Sequence, residues 1–209
     1  PLIFGGYWFV CQRNLKVQNT LLVFASYVFY GWWDWTFLSL IIFSSLLDYF
    51  VGIHFTKTEN ENKRKLLLLL SITVNLGFLG FFKYFNFFIE SFAEAFTFFG
   101  HAIEAERLNI ILPVGISFYT FQTLSYSIDT YKGKMQPTKN LIAFLAYVSF
   151  FPQLVAGPIE RATNLLPQFF SKRKFEYQKA IDGMRQILWG LFKKIVIADN
   201  CAIYANDIF

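Results

Sequence analysis

Residues 141–174 read LIAFLAYVSFFPQLVAGPIERATNLLPQFFSKRK. The run opens at Leu141 as a membrane helix or buried strand would. It then meets Pro152, the adjacent pair Gly157-Pro158, the charges of Glu160 and Arg161, a further proline at Pro167 and the basic residues Lys172, Arg173 and Lys174. Proline removes a backbone donor and glycine frees the chain to turn, so an apolar helix does not run straight through this stretch. How the segment ends, and on which side of a membrane, decides the architecture.

The rest of the chain supplies the membrane. Of 209 residues, 55% are hydrophobic and only 16% are charged, whereas a soluble domain carries about a quarter charged residues. A soluble core of this size does not hide 28 phenylalanines, so lipid is the natural solvent. The expected class is an all-α, polytopic membrane helical bundle.

A bilayer core about 30 Å thick takes about 20 helical residues. On that measure residues 2–10 are the end of a first span, 17–35 a second, 36–55 a third, 66–89 a fourth, 110–131 a fifth and 186–204 a last. Pro113 falls early enough in the fifth span to be tolerated. Between the second and third lies YGWWDW, Tyr30–Trp35, whose Trp and Tyr belong at headgroup level, so a tight interfacial turn is expected.

Loop charge sets the sides, because short cytoplasmic loops collect Lys and Arg. Arg13 and Lys16, then Lys57, Lys63, Arg64 and Lys65 against Glu59 and Glu61, then Lys132, Lys134 and Lys139 mark three loops on one side. The 90–109 loop, with Glu90, Glu94, Glu104 and Glu106 against Arg107 alone, suits the other. Were 141–159 to cross, Arg161, Lys172, Arg173, Lys174 and Lys179 would lie outside, against the rule. The reading that satisfies it is a re-entrant segment over 141–159, which enters from the cytoplasm, breaks near Pro152 or Gly157-Pro158 and returns. Irregular backbone at that depth survives only inside protein or beside a watery cavity, so a cavity open to the cytoplasm is implied. The alternative is an ordinary span with a proline kink. Farther on, Tyr177, Ile181, Met184 and Leu188 recur at helical spacing against Glu176, Lys179, Asp182 and Arg185. They form either a helix lying in the interface or an amphipathic extension of the last span.

Polar residues inside spans are functional candidates by default, because burying them is costly without partners. Asp48 stands in the third span, Asn75 and Lys83 in the fourth, and Ser117, Gln122 and Asp129 in the fifth. Asn75, Gln122 and the serines read as helix–helix glue, and Lys83 as a snorkelling lysine. Asp48 needs a cation or several donors, as part of a structural pair or a cavity lining. Neither His54 nor His101 has a second ligand at metal spacing, and Cys11 and Cys201 fit no metal or redox motif, so no metal is expected. No nucleophile elbow, phosphate loop or nucleic-acid motif occurs, and the net charge of +5 is accounted for by loops facing anionic lipid. The residues alone describe a membrane protein with a re-entrant element and no catalytic group in view.

Two long blocks add a resemblance. YVSFFPQLVAGPIERATNLLPQF (Tyr147–Phe169) and ILPVGISFYTFQTLSYSIDTYKG (Ile111–Gly133), with FYGWWDW (Phe29–Trp35) and DYFVG (Asp48–Gly52) upstream, resemble the membrane-bound O-acyltransferase family. The likeness is to its bacterial alginate O-acetyltransferase branch and, more distantly, to the D-alanine exporters of teichoic acid synthesis. It covers the whole chain as roughly the first half of a full member. The resemblance implies a helical bundle around a tunnel joining both membrane faces, in the bacterial cytoplasmic membrane. It also implies transfer of an acyl group, commonly acetyl, from a cytoplasmic thioester donor toward a hydroxyl outside. No bound cofactor is implied; the donor, acetyl-CoA or an acyl carrier, is a co-substrate. The implied partners are the lipid bilayer, an extracytoplasmic acyl-handling protein and a polysaccharide or cell-wall acceptor, with no nucleic acid. The family's catalytic histidine belongs to its second half and is expected beyond Phe209, in a chain that reads as cut at both ends. Phe150, Phe151, Pro152, Gln153, Gly157, Pro158, Ile159 and Arg161 match the family block, as wall and cytoplasmic mouth of the tunnel. Gln153 supplies donors to a buried loop or an acyl carbonyl, and Arg161 contacts either donor phosphates or a lipid headgroup. A transporter and a non-catalytic membrane subunit are the competing readings.

Overall fold

The computed structural model describes residues 2–11, 14–98, 108–155 and 157–208. Arg13, His101, Glu104, Glu106 and Arg107 lie outside the described residues. Among the described residues all regular structure is helical. Two helices are long and apolar enough, by length and composition, to cross a membrane: Trp35–Lys57, with 23 residues, and Glu61–Phe96, with 36. The chain divides into two compact units, residues 1–172 and 173–209.

The first unit opens with α1 (Leu2–Gly5), prolonged by a π-helical turn, Gly6–Val10. α2 (Leu15–Trp33) starts where the Asn14 side chain accepts from the Lys16 amide at 2.9 Å. α3 (Trp35–Lys57) follows after a single residue, Asp34. The Asp34 amide donates to the Tyr30 carbonyl at 3.3 Å and closes α2. Its carboxylate caps α3 by accepting from the Thr36 hydroxyl at 2.5 Å and the Thr36 amide at 2.8 Å. Those donations, the hydroxyl's first, hold the Asp34 carboxyl below its ordinary range. Trp32, Trp33 and Trp35 stand exposed around this joint. α4 (Glu61–Leu79), capped by Asn60, runs through a π-helical turn, Gly80–Tyr84, into α5 (Phe85–Phe98), beginning earlier and ending later than the expected 66–89.

α6 (Ile116–Tyr131) corrects an expectation. The fifth span was expected over 110–131, yet the helix starts only at Ile116, and Pro113 precedes it. The cause is Gly115, whose φ of +76° breaks the helical path and is rarely open to any residue with a Cβ. The remaining pieces are α7 (Leu141–Val148), α8 (Phe151–Leu154), α9 (Ala162–Leu165) and a 3-10 turn, Leu166–Phe169. In the second unit, α10 (Tyr177–Phe192), a π-helical turn (Lys193–Ala198) and α11 (Asp199–Ile208) follow without a break, so the expected 186–204 lies inside a longer helical stretch.

α3, α4 and α6 form the centre of the first unit. α4 runs antiparallel to α3, so that Phe37 meets Phe82 at 6.0 Å and Ser44 meets Asn75. α6 runs parallel to α3, and Tyr131 comes to stand 5.8 Å from Phe55. Arg64 ties the three helices at this end: its guanidinium lies 6.0 Å from the Phe55 ring and 5.5 Å from the Tyr131 ring, and donates to the Tyr131 carbonyl at 3.0 Å. α3 and α6 come close at Gly52, where a Cβ would come within 2.6 Å of the Tyr126 hydroxyl. Gly52→Ala is expected to destabilise the bundle by about 1–3 kcal/mol in thermal unfolding, and its loss combined with Tyr126→Ala should be less than additive. Strictly additive losses from the two changes would contradict this contact.

Candidate functional site

α7 has eight residues, about 12 Å of helix, against a bilayer core of about 30 Å. It starts toward the Arg64 end of the bundle. There the Tyr49 hydroxyl donates to the Lys139 carbonyl at 2.8 Å, and the Thr138 amide donates to the Tyr126 hydroxyl at 3.2 Å. α7 then follows α6 toward the other end. The Phe144 ring lies 4.6 Å from that of Tyr126, and the Tyr147 hydroxyl donates to the Gln122 carbonyl at 2.9 Å. Phe144, Tyr147 and Val148 are fully buried, so this arm is a core element. The helix breaks at Ser149-Phe150. The Phe151 amide donates to the Ser26 hydroxyl of α2 at 3.2 Å, and Pro152 occupies the first turn of α8, where a missing donor is harmless.

The tip lies at Leu154, against Gly115. A Cβ on Gly115 would stand 2.3 Å from the Leu154 carbonyl oxygen, so the close approach itself requires glycine. The neighbouring Val114 carbonyl accepts from the Tyr30 hydroxyl at 2.8 Å, near the end of α2. The tip has thus reached the end of α6 opposite Tyr131. The backbone turns at Gly157, φ +143°, and comes back. On the return, the Ala162 amide donates to the Ser125 hydroxyl at 3.2 Å, and the Phe169 carbonyl accepts from Asn19 Nδ2 at 2.8 Å near the start of α2. Pro167 and Phe170 finally share a cavity of about 470 Å³ with Met135, Gln136, Thr138 and Lys139. Both arms end beside the 132–140 loop.

The residues singled out in the sequence divide between this hairpin and a separate polar cluster. Phe150 packs against Phe169 at 5.8 Å, and the Phe151 ring lies 5.9 Å from that of Phe29. Gln153 donates through Nε2 to the Pro158 carbonyl at 3.3 Å, while its Oε1 is buried without a partner. Pro152, Gly157, Pro158, Ile159 and Arg161 are exposed. Gly157 and Pro158 follow the tip, at the Gly115 end of α6 and away from Lys139. A larger apolar cavity, about 1000 Å³, opens along α2 beside the tip and is lined by Phe24, Val28, Tyr30, Trp33, Val114 and Val155 among others.

Asp48 and Asn75 meet in the other cluster, where α3, α4 and α6 cross. The Asp48 carboxylate accepts from the Ser71 hydroxyl, from the Ser127 hydroxyl at 2.7 Å and from Asn75 Nδ2 at 2.7 Å. Asn75 Oδ1 accepts from the Ser44 hydroxyl at 2.5 Å and the Thr123 hydroxyl at 3.2 Å. All six side chains are buried, and each helix supplies two of them, spaced i, i+4: Ser44 and Asp48, Ser71 and Asn75, Thr123 and Ser127. Ser44, Ser71, Thr123 and Ser127 were not singled out from the sequence, although that shared spacing was there to be seen. Gln122 stands apart on the hairpin side, its Oε1 buried without a partner.

Lys83, in the π-helical turn, reaches the Ser117 hydroxyl at 3.3 Å and lies over the Tyr84 ring at 5.4 Å. His54 places Nδ1 2.8 Å from the Phe50 carbonyl. Among the described residues no group of three His, Cys, Asp or Glu side chains comes together to hold a metal ion. The arrangement supplies a broken, polar-anchored chain segment inside a helical bundle, flanked by cavities at its two ends.

No family model matches the chain, and no solved structure matches it. The probable alginate O-acetylase AlgI of Pseudomonas putida is 39% identical over 211 residues, covering 100% of this chain and 42% of that protein. The probable AlgI of Pseudomonas syringae pv. tomato is 40% identical over 211 residues, covering 100% and 40%. The peptidoglycan O-acetyltransferase of Helicobacter pylori is 35% identical over 235 residues, covering 99% and 44%. The chain spans about two-fifths of the length of the curated relatives it matches.

Proposed function

We propose that this chain, homologous throughout its length to alginate and peptidoglycan O-acetyltransferases, is part of a multi-pass O-acyltransferase of the bacterial cytoplasmic membrane. Its work is to pass an acetyl group from a thioester donor on the cytoplasmic side toward hydroxyls of an exported polysaccharide or cell-wall polymer. The observation that carries this reading is 39% identity across 100% of the chain to an alginate O-acetylase.

The geometry supports it in a second way. The 132–140 loop, where both hairpin arms end, carries Lys132, Lys134 and Lys139, and positive loops face the cytoplasm. The hairpin is then a re-entrant segment whose tip reaches into the membrane from the donor side. Three of its backbone groups are met inside the protein by Ser26, Ser125 and Asn19. On this reading Phe150, Phe151 and Gln153 form the inner wall, Gly157, Pro158 and Arg161 the deep turn, and residues 135–139 with 166–170 the cytoplasmic mouth. Acetyl-CoA or an acyl carrier presents the donor, and an extracytoplasmic acyl-handling protein completes delivery.

Membranes holding the natural-length protein test this, given an acetyl thioester labelled in the acetyl group. Label is expected on a uronate polymer or on peptidoglycan, at least tenfold above membranes lacking the protein. Equal labelling with and without it would overturn the reading, and an acceptor carried across the membrane without covalent change would favour a transporter.

A further inference from the structure

α10 has two unlike sides. At helical spacing Tyr177, Ile181, Met184, Leu188 and Leu191 fall on one side, and Gln178, Lys179, Asp182, Arg185 and Gln186 on the other. The apolar side is bare: Tyr177 is 72% exposed, Met184 66% and Leu188 69%. The division stops at Lys193-Lys194, where the π-helical turn begins, and Ile195, Val196, Ile197 and Ala198 then make one apolar turn before Asp199. Trp189 stands at this junction, its ring stacked on Phe192 at 5.4 Å with the Lys193 ammonium 5.9 Å from its centre.

Charge along residues 174–199 is lopsided. Lys174, Lys179, Arg185, Lys193 and Lys194 stand against Glu176, Asp182 and Asp199. Each of those acids already has a basic partner: Lys179–Glu176 at 2.9 Å, Arg185–Asp182 at 3.4 Å and Lys194–Asp199 at 2.7 Å. The surplus is positive. A crossing over 186–204 would carry Lys193 and Lys194 to mid-bilayer, the costliest place for an ammonium group. A helix lying flat keeps both at headgroup level, with Trp189 at the same depth.

We infer that α10 lies in the plane of a bilayer leaflet. Its apolar side rests among acyl chains, its basic residues sit on anionic phospholipid headgroups, and the chain leaves that plane at the π-helical turn, Lys193–Ala198. Bends gather at such turns because their hydrogen-bond ladder is already irregular. The occupant is an anionic lipid surface and not a protein, because the bare stripe is edged by unbalanced positive charge.

The natural-length protein in lipid nanodiscs provides the test, with single cysteines at Lys179, Met184, Gln186, Leu188 and Val196 in a Cys11→Ser, Cys201→Ser background. Each is labelled with an environment-sensitive fluorophore, and quenching is read from spin-labelled lipids of known depth. With phosphatidylglycerol present, labels at 184 and 188 should be blue-shifted and quenched at one shallow depth, those at 179 and 186 should stay in water, and that at 196 should lie deeper. In pure phosphatidylcholine, or in a Lys174→Gln, Lys193→Gln variant, quenching at 184 and 188 should fall at least twofold. Depth increasing steadily from 184 to 196 would mean a crossing. Labels shielded from water but unquenched would mean a protein cover, and all labels in water would mean no seat. Seating indifferent to phosphatidylglycerol would remove the headgroup contact. Any of these overturns the inference.

Discussion

Replacing Gly115 with alanine is expected to unseat the hairpin tip. Two effects act together. The residue holds φ at +76°, where a side chain adds strain of about 1–3 kcal/mol, and the new Cβ would lie 2.3 Å from the Leu154 carbonyl oxygen. That oxygen belongs to backbone, so relief requires the tip to move, at about 1–3 kcal/mol more. A combined loss of about 4 kcal/mol would lower the ratio of seated to unseated tip roughly a thousandfold relative to wild type. On the function proposed above, acetyl transfer by the natural-length protein should fall by about a hundredfold or more while the protein still inserts into the membrane. Gly133→Ala is the control: φ there is +71° but nothing lies within 4 Å, so only the strain remains. Equal losses from the two substitutions would show that Leu154 does not press on Gly115.

Removing the Asp48 carboxylate is the second large effect. Asp48→Leu leaves the Ser71 and Ser127 hydroxyls without their acceptor where α3, α4 and α6 cross, and takes one of two acceptors from the Asn75 amide, which keeps the Ser71 carbonyl. Each buried donor left unsatisfied costs about 1–3 kcal/mol, so the two hydroxyls together cost about 2–6 kcal/mol. Asp48→Asn keeps the shape and, with its one oxygen toward the Ser71 and Ser127 hydroxyls, loses only the acceptor for Asn75, and should cost about 1–2 kcal/mol. Denaturant or thermal unfolding in detergent reads both. An Asp48→Leu protein as stable as wild type would mean that the three helices are not held at this point.

The sequence made the hairpin's breaks legible because proline and glycine act locally: Pro152 and Gly157 mark the same places in the chain whatever surrounds them. The turn near Asp34 was legible for a similar reason, since clustered Trp and Tyr mark the membrane interface. The start of α6 was not. Ile110, Ile111, Leu112 and Val114 continue the apolar pattern into the helix, and only the tertiary approach of Leu154 reveals why Gly115 must hold a left-handed turn. Asp48, Asn75 and Gln122 all looked like intramembrane candidates, yet only the first two meet. Their meeting depends on which helices are neighbours and on the face each turns inward, which the order of spans does not specify. The resemblance placed the Gly-Pro pair in the wall and cytoplasmic mouth of a tunnel; along the chain, the return arm Ala162–Phe170 lies between that pair and the basic residues that follow.

The same-side return of residues 141–170 is the claim on which the donor-side reading stands, and cysteine accessibility tests it most directly. In cells carrying the natural-length protein without Cys11 and Cys201, Gln136→Cys and Ser171→Cys lie just outside the two arms, and Trp33→Cys marks the opposite end of α2. The account predicts that 136 and 171 react only when a membrane-impermeant thiol reagent reaches the cytoplasmic face, while 33 reacts from outside. Labelling of 171 from outside with 136 still protected would mean that the segment crosses, and the hairpin account would fall.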